Sequence, residues 1–121
     1  MPDKKPIVLI VEDDFALSDA FGMILSASGY DVHRAHDGKE ALDYLEHHLP
    51  DAVLLDILMP VMDGREFLRN YKNDHHLPIV ALSNLDAKDD VEEVLSLGAS
   101  RYILKSSVTP ETLTNVIKEI I

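Results

Sequence analysis

Short apolar runs alternate with stretches of helical spacing along the whole chain. Three runs are almost continuously apolar: Ile7 to Val11, Ala52 to Leu55 and Ile79 to Leu82. Runs of this length bounded by polar residues are the pattern of strands covered on both faces. Two less apolar segments, near Asp31 to Ala35 and at Tyr102 to Leu104, predict strands at the sheet edges. Between the strands lie stripes of helical period: Leu17, Ala20, Phe21, Ile24 and Leu25; Ala41, Leu42 and Leu45; Phe67, Leu68 and Tyr71; Ala87, Val91, Val94 and Leu95; and Leu113, Val116, Ile117 and Ile120.

The punctuation between these elements agrees with the pattern. Gly29 and Gly98 follow helical stripes, where a C-cap needs a residue that tolerates positive φ. Pro50 and Pro78 interrupt the chain just before the third and fourth strands, and Thr109-Pro110 reads as an N-cap followed by proline at the first helical position. Strictly alternating strands and helices predict an α/β fold, a single doubly wound (βα)5 flavodoxin-like domain with a parallel five-stranded sheet. Placing the apolar strands centrally gives the order 2-1-3-4-5, and ligands of such sheets bind beyond the carboxyl ends where the winding reverses, between strands one and three. The expected domain is 1–121, with residues 1–6 as a short N-terminal tail.

At 121 residues the chain is long enough for one core and too short for two. It has no cysteine, which removes disulfides, thiolate zinc sites and cysteine nucleophiles, so any metal must be held by oxygen or imidazole. Only five consecutive strongly apolar residues follow the N-terminal segment, too few for a signal-peptide core or a membrane span. A soluble, cytoplasmic protein without membrane attachment is expected. The net charge of -11 opposes contact with a phosphate backbone, and no local basic cluster offsets it, so direct nucleic-acid binding is not expected.

Charge does change the picture at the strand ends. Strand one runs into Glu12-Asp13-Asp14, strand three into Asp56, strand four into Ser83 and strand five into Lys105. Carboxylates crowded at adjacent strand ends repel, and the repulsion is relieved by protonation or by a cation. A hard divalent ion such as Mg2+ suits an all-oxygen site, with Mn2+ as the alternative. Lys105 and the Ser83 hydroxyl would meet such a pocket from the far side and suit a phosphoryl group, with Asp56 as a candidate nucleophile. For Asp14 and Asp63 helix capping is the better reading.

These segments together resemble the receiver domain of two-component response regulators. The resemblance rests on Val8-Leu9-Ile10-Val11-Glu12-Asp13-Asp14, on Leu54-Leu55-Asp56-Ile57-Leu58-Met59-Pro60-Val61-Met62-Asp63-Gly64, on Ala81-Leu82-Ser83 and on Gly98-Ala99-Ser100-Arg101-Tyr102-Ile103-Leu104-Lys105, in that order. It covers nearly the whole chain. It implies that Asp56 accepts a phosphoryl group from a phosphohistidine of a sensor histidine kinase or histidine phosphotransfer protein. It further implies that Asp13, Asp56 and the Leu58 backbone carbonyl bind Mg2+ directly, with Glu12 acting through water. Ser83, Lys105 and Tyr102 would then bind the phosphoryl group and carry the switch to a face of helix four, strand five and helix five. A downstream protein would read that face, and the domain would be a monomer or a phosphorylation-dependent dimer, regulatory rather than enzymatic beyond self-catalysed phosphoryl transfer and autodephosphorylation.

One departure stands out. The family commonly has proline after the lysine, joined by a cis peptide, whereas this chain reads Lys105-Ser106-Ser107. A cis bond costs about 0.5–1 kcal/mol before proline but roughly 2.5–4 kcal/mol elsewhere, which favours a trans bond and a rearranged loop here. Leu58 and Leu85, each two positions past Asp56 and Ser83, are apolar and cannot orient an attacking water. Two competing functions share the pattern: a pseudo-receiver that binds partners without phosphorylation, and an aspartate-nucleophile phosphatase of the haloacid-dehalogenase type. The latter places a second Asp where this chain has Leu58. A flavodoxin-like cofactor module lacks support because no glycine- or threonine-rich phosphate loop lies between Asp13 and Leu17. His33, His36, His47-His48 and His75-His76 read as solvated polar residues, and Met59 and Met62 as loop packing.

Overall fold

A computed structural model describes residues 4–121; residues 1–3 of the expected tail lie outside the described residues. Five strands, β1 (Ile7–Val11), β2 (Asp31–Ala35), β3 (Ala52–Asp56), β4 (Ile79–Ser83) and β5 (Arg101–Leu104), form one sheet in the order β2-β1-β3-β4-β5. All pairings are parallel. Five helices alternate with them: α1 (Phe15–Ala27), α2 (Gly38–His47), α3 (Gly64–Asn70), α4 (Lys88–Ser96) and α5 (Pro110–Ile120). The doubly wound α/β fold expected from the pattern is therefore the fold observed.

The strand order follows from burial. Val8, Leu9, Ile10 and Val11 of β1 and every residue of β3 and β4 are buried, whereas β2 and β5 expose several positions. Side chains alternate between two cores. Leu9, Val11, Val53, Leu55, Ile79 and Ala81 pack with Phe67 on one face; Val8, Ile10, Leu54, Val80 and Leu82 pack with Phe21, Leu25, Leu113 and Ile117 on the other.

Local signals agree with the helix ends. Asp14 caps α1 by accepting from Leu17 N–H and Asp63 caps α3 by accepting from Glu66 N–H, which supports the capping reading of both acids. Thr109 and Thr112 form a reciprocal capping box with Pro110 at the start of α5. Gly29 and Gly98 have φ of 98° and 122°, the conformations their C-terminal positions require.

Several expected stripe positions need correction. Ala20 is exposed, and α1 instead buries Ser18 and Gly22 beside Phe21 and Leu25. Ala87 precedes α4 and caps it with backbone only; Leu95 is exposed, and Val94 alone is fully buried in that helix. Tyr71 lies just past the end of α3. Tyr71, Ala87 and Leu95 sit at or beside helix ends, and Ala20 lies on the solvent face of α1. His33 is half-buried rather than freely solvated, and its Nδ1 lies 2.9 Å from the Tyr44 hydroxyl. Met59 and Met62 pack against the core from the loop, as expected.

Candidate functional site

β1 and β3 are neighbours in the sheet, so their carboxyl ends bring Glu12, Asp13 and Asp56 together. One oxygen from each of the three lies within 4.8 Å of the others. Glu12 and Asp56 are almost completely buried, at 1 % and 2 % exposure. Their backbone places them well: Glu12 N–H donates to the Ala35 carbonyl at 3.0 Å, and Ile57 N–H donates to the Leu82 carbonyl at 3.0 Å. The ladder thus runs past each carboxylate, and neither sits on a loose loop.

The two carboxylates are held in matching fashion. Glu12 Oε2 accepts from Asp14 N–H at 3.2 Å, and Asp56 Oδ1 accepts from Leu58 N–H at 3.3 Å. In each case the donor lies two residues on, which turns the chain at the strand end. The remaining oxygens face one cation. Lys105 Nζ lies 2.9 Å from Glu12 Oε1 and 3.1 Å from Asp56 Oδ2. These are close ion pairs, yet neither buried oxygen receives a well-directed hydrogen bond.

Electrostatics follow from that geometry. Burial, then repulsion from Glu12, pushes the Asp56 carboxyl up to about 7 against the opposing pull of Lys105. Burial lowers the Lys105 ammonium, but its close pairing with the Glu12 and Asp56 carboxylates outweighs it and leaves its pKa raised. Three acids and one ammonium make a site with excess negative charge in low dielectric, where a cation is favoured. The donor set is entirely oxygen and includes two buried oxygens without directed partners, which fits a hard divalent ion.

On the far side β4 ends in Ser83, 1 % exposed. Its Oγ accepts from Leu85 N–H at 3.1 Å, while the Tyr102 hydroxyl donates to the Leu85 carbonyl at 2.6 Å. The backbone of one residue therefore connects Ser83 to Tyr102. The Lys105 loop forms a short 3-10 turn over Lys105–Ser107, and no cis peptide occurs among the described residues, in keeping with the trans bond expected before Ser106.

The profile of the response regulator receiver domain matches residues 8–118. The chain belongs to this family. Solved structures agree over nearly its full length. The Vibrio cholerae chemotaxis protein CheY4 is 28% identical, covers 98% of this chain and 100% of its own, and superposes with a TM-score of 0.90. A CheY-like response regulator receiver domain protein from Methanospirillum hungatei is 32% identical over 96% of this chain and 93% of its own, with a TM-score of 0.89. The signal receiver domain of a signal transduction histidine kinase from Syntrophus aciditrophicus is 30% identical over 95% and 89%, with a TM-score of 0.85.

In this receiver domain the structure brings Glu12, Asp13, Asp56 and Lys105 into one cluster, with Ser83 at the end of the strand next to Asp56. Tyr102 joins through Leu85 rather than through the acids. Leu58 flanks the site, half exposed, its N–H committed to Asp56. Two contacts near the site leave no mark in the periodic pattern of the sequence. Arg65 of α3 bridges Asp90 and Glu93 of α4, and Asn84 accepts from Ser106 N–H at 3.0 Å. Charge complementarity between α3 and α4 was readable in principle; nothing in one dimension pairs Asn84 with Ser106. Among the described residues no helix is long and apolar enough to cross a membrane.

Proposed function

We propose that this receiver domain accepts a phosphoryl group on Asp56 from a phosphohistidine of a histidine kinase or histidine phosphotransfer protein. The observation that carries the reading is the Asp56 carboxylate itself: buried, braced at Oδ1 by Leu58 N–H, and facing Lys105 with Oδ2. In the transfer an Asp56 oxygen forms a bond to phosphorus as the phosphorus–nitrogen bond breaks, and the electron pair leaves with the imidazole. Lys105 balances charge on the moving group, so the chain contributes chiefly positioning and electrostatics.

Asp13, Asp56 and the Leu58 carbonyl would hold Mg2+, with Glu12 acting through water. The ion would supply charge neutralisation for the phosphoryl oxygens. After transfer the Ser83 hydroxyl donates to the phosphoryl group instead of remaining on Leu85 N–H alone. Because Tyr102 is bonded to the same residue, moving Leu85 changes the support of that ring and biases the α4-β5-α5 face, which a downstream protein reads. α4 buries only Val94 completely, which leaves little apolar packing to oppose a shift of that helix. The domain is taken to span 1–121 and to act in the cytoplasm, as regulator and not as an enzyme with a separate substrate.

Intact mass after treatment with acetyl phosphate and Mg2+ tests the reading, with the parent compared to Asp56→Asn. One added phosphoryl group on the parent alone is expected. Equal modification of both would overturn the site, and no modification of either, with histidine-kinase donor also tried, would favour a pseudo-receiver.

A further inference from the structure

Ser106 stands directly after the lysine and, unlike proline, carries an N–H. That N–H donates to Asn84 Oδ1 at 3.0 Å. Ser83 and Leu104 are the last partners of the β4–β5 ladder, so the side-chain bond begins where the backbone ladder stops. Leu104 precedes the 3-10 turn and offers no side-chain cap to it. The first N–H groups of such a turn lack local acceptors. Asn84 supplies from the neighbouring strand the acceptor that a capping Ser or Asp would supply within the same segment.

The consequence reaches the acids. Lys105 is the first residue of that turn, and its ammonium extends from it to Glu12 Oε1 and Asp56 Oδ2. Asn84 is in turn adjacent to Ser83. We propose that Asn84 is a positioning residue for Lys105: its carboxamide fixes the turn from which the ammonium reaches Asp56 and ties that turn to the segment carrying Ser83. A proline at 106 would remove the donor and the link together. Both Asn84 and Ser106 are exposed, so water competes for the bond and its effect on overall stability is small. The effect falls on geometry, where small misplacements of a charge-balancing group are costly.

The functional half of this inference rests on phosphoryl acceptance at Asp56, so the test has an arm that does not. Trace acetylation with acetic anhydride and peptide mapping reads Lys105 reactivity against exposed Lys118. Asn84→Ala should raise that ratio severalfold, and Asn84→Asp, which keeps an acceptor, should leave it near the parent value. In the second arm Asn84→Ala slows labelling by acetyl phosphate roughly tenfold and adds no further slowing in a Lys105→Met background. An unchanged acetylation ratio, or a slowing that persists without Lys105, overturns the assignment. If the parent takes up no phosphoryl group, the proposed function fails by itself and the acetylation ratio still decides the role of Asn84.

Discussion

Lys105 Nζ stands 3.1 Å from Asp56 Oδ2 and 2.9 Å from Glu12 Oε1, so one cation is shared between two buried anions. Burial first, and then the neighbouring Glu12 carboxylate that one ammonium only partly offsets, push the Asp56 carboxyl up to about 7. A carboxyl whose pKa is higher folded than unfolded stabilises the fold fully below its unfolded pKa, near 3.8, and that contribution is lost as pH rises through about 7.

Metal-free protein should accordingly lose stability between pH 4 and about 7 through Asp56. Asp56→Asn removes the ionising group, and it should exceed the parent at pH 8 by ~2 kcal/mol, with the gap closing only as pH falls to about 4. Mg2+ should narrow the gap at pH 8, because it favours the ionised parent. Urea titrations of both proteins at the two pH values, with and without Mg2+, check all of this. A gap independent of pH would contradict the assigned ionisation.

Much of this was legible from periodicity because parallel strands buried on both faces must be continuously apolar, and Val8 to Val11, Ala52 to Leu55 and Ile79 to Leu82 are. A charge ending such a run, as Asp56 does, stands out for the same reason. β3 and β4 nonetheless run one residue further than their apolar runs, to Asp56 and Ser83, since ladder hydrogen bonds do not depend on side-chain polarity, whereas β1 stops at Val11. Contacts between side chains and distant backbone were not legible. Asn84 with Ser106 is one, and Tyr102 with Leu85 is another. Neither leaves a periodic trace, because each joins the loop after β4 to a segment about twenty residues further along the chain.

Leu58 and Leu85 bear on how long a phosphoryl group would persist. Leu58 is 52 % exposed at the mouth of the acidic cluster, and Leu85 is half-buried above Ser83. An apolar side chain there cannot accept a proton from water or fix its orientation. Leu58→Asn and Leu85→Glu should each shorten the phosphoprotein lifetime, by up to about tenfold. Decay followed by intact mass after removal of acetyl phosphate measures this, and unchanged lifetimes in both variants would remove the leucines from the account.

Gly64 sits against the end of β3. Its N–H donates to the Ile57 carbonyl at 2.9 Å, and a Cβ at this position would lie 2.7 Å from Ile57 Cα and 2.8 Å from the Asp56 carbonyl oxygen. Both obstacles are backbone and cannot swing aside. Gly64→Ala should therefore cost roughly 1–3 kcal/mol in urea unfolding and also slow Asp56 labelling, because the displaced segment is the one that carries the carboxylate. Loss of stability with a parent labelling rate would mean the strain is absorbed by α3 instead.

Val61 is the converse case, a place where the chain carries strain that substitution can relieve. Its φ is 69°, its side chain is 78 % exposed, and Met62 N–H donates to the Pro60 carbonyl at 2.8 Å across it. This tight turn at positive φ is rare, and a β-branched side chain fits it poorly because both γ carbons crowd the backbone. The exposed methyl groups recover almost nothing by packing. Val61→Asn, which tolerates the left-handed region, should raise stability by ~1 kcal/mol. Val61→Gly should gain less, because glycine also adds freedom to the unfolded chain. Urea midpoints ordered Asn above Gly above Val are the expected result, and a parent more stable than both variants would show that the turn is not strained.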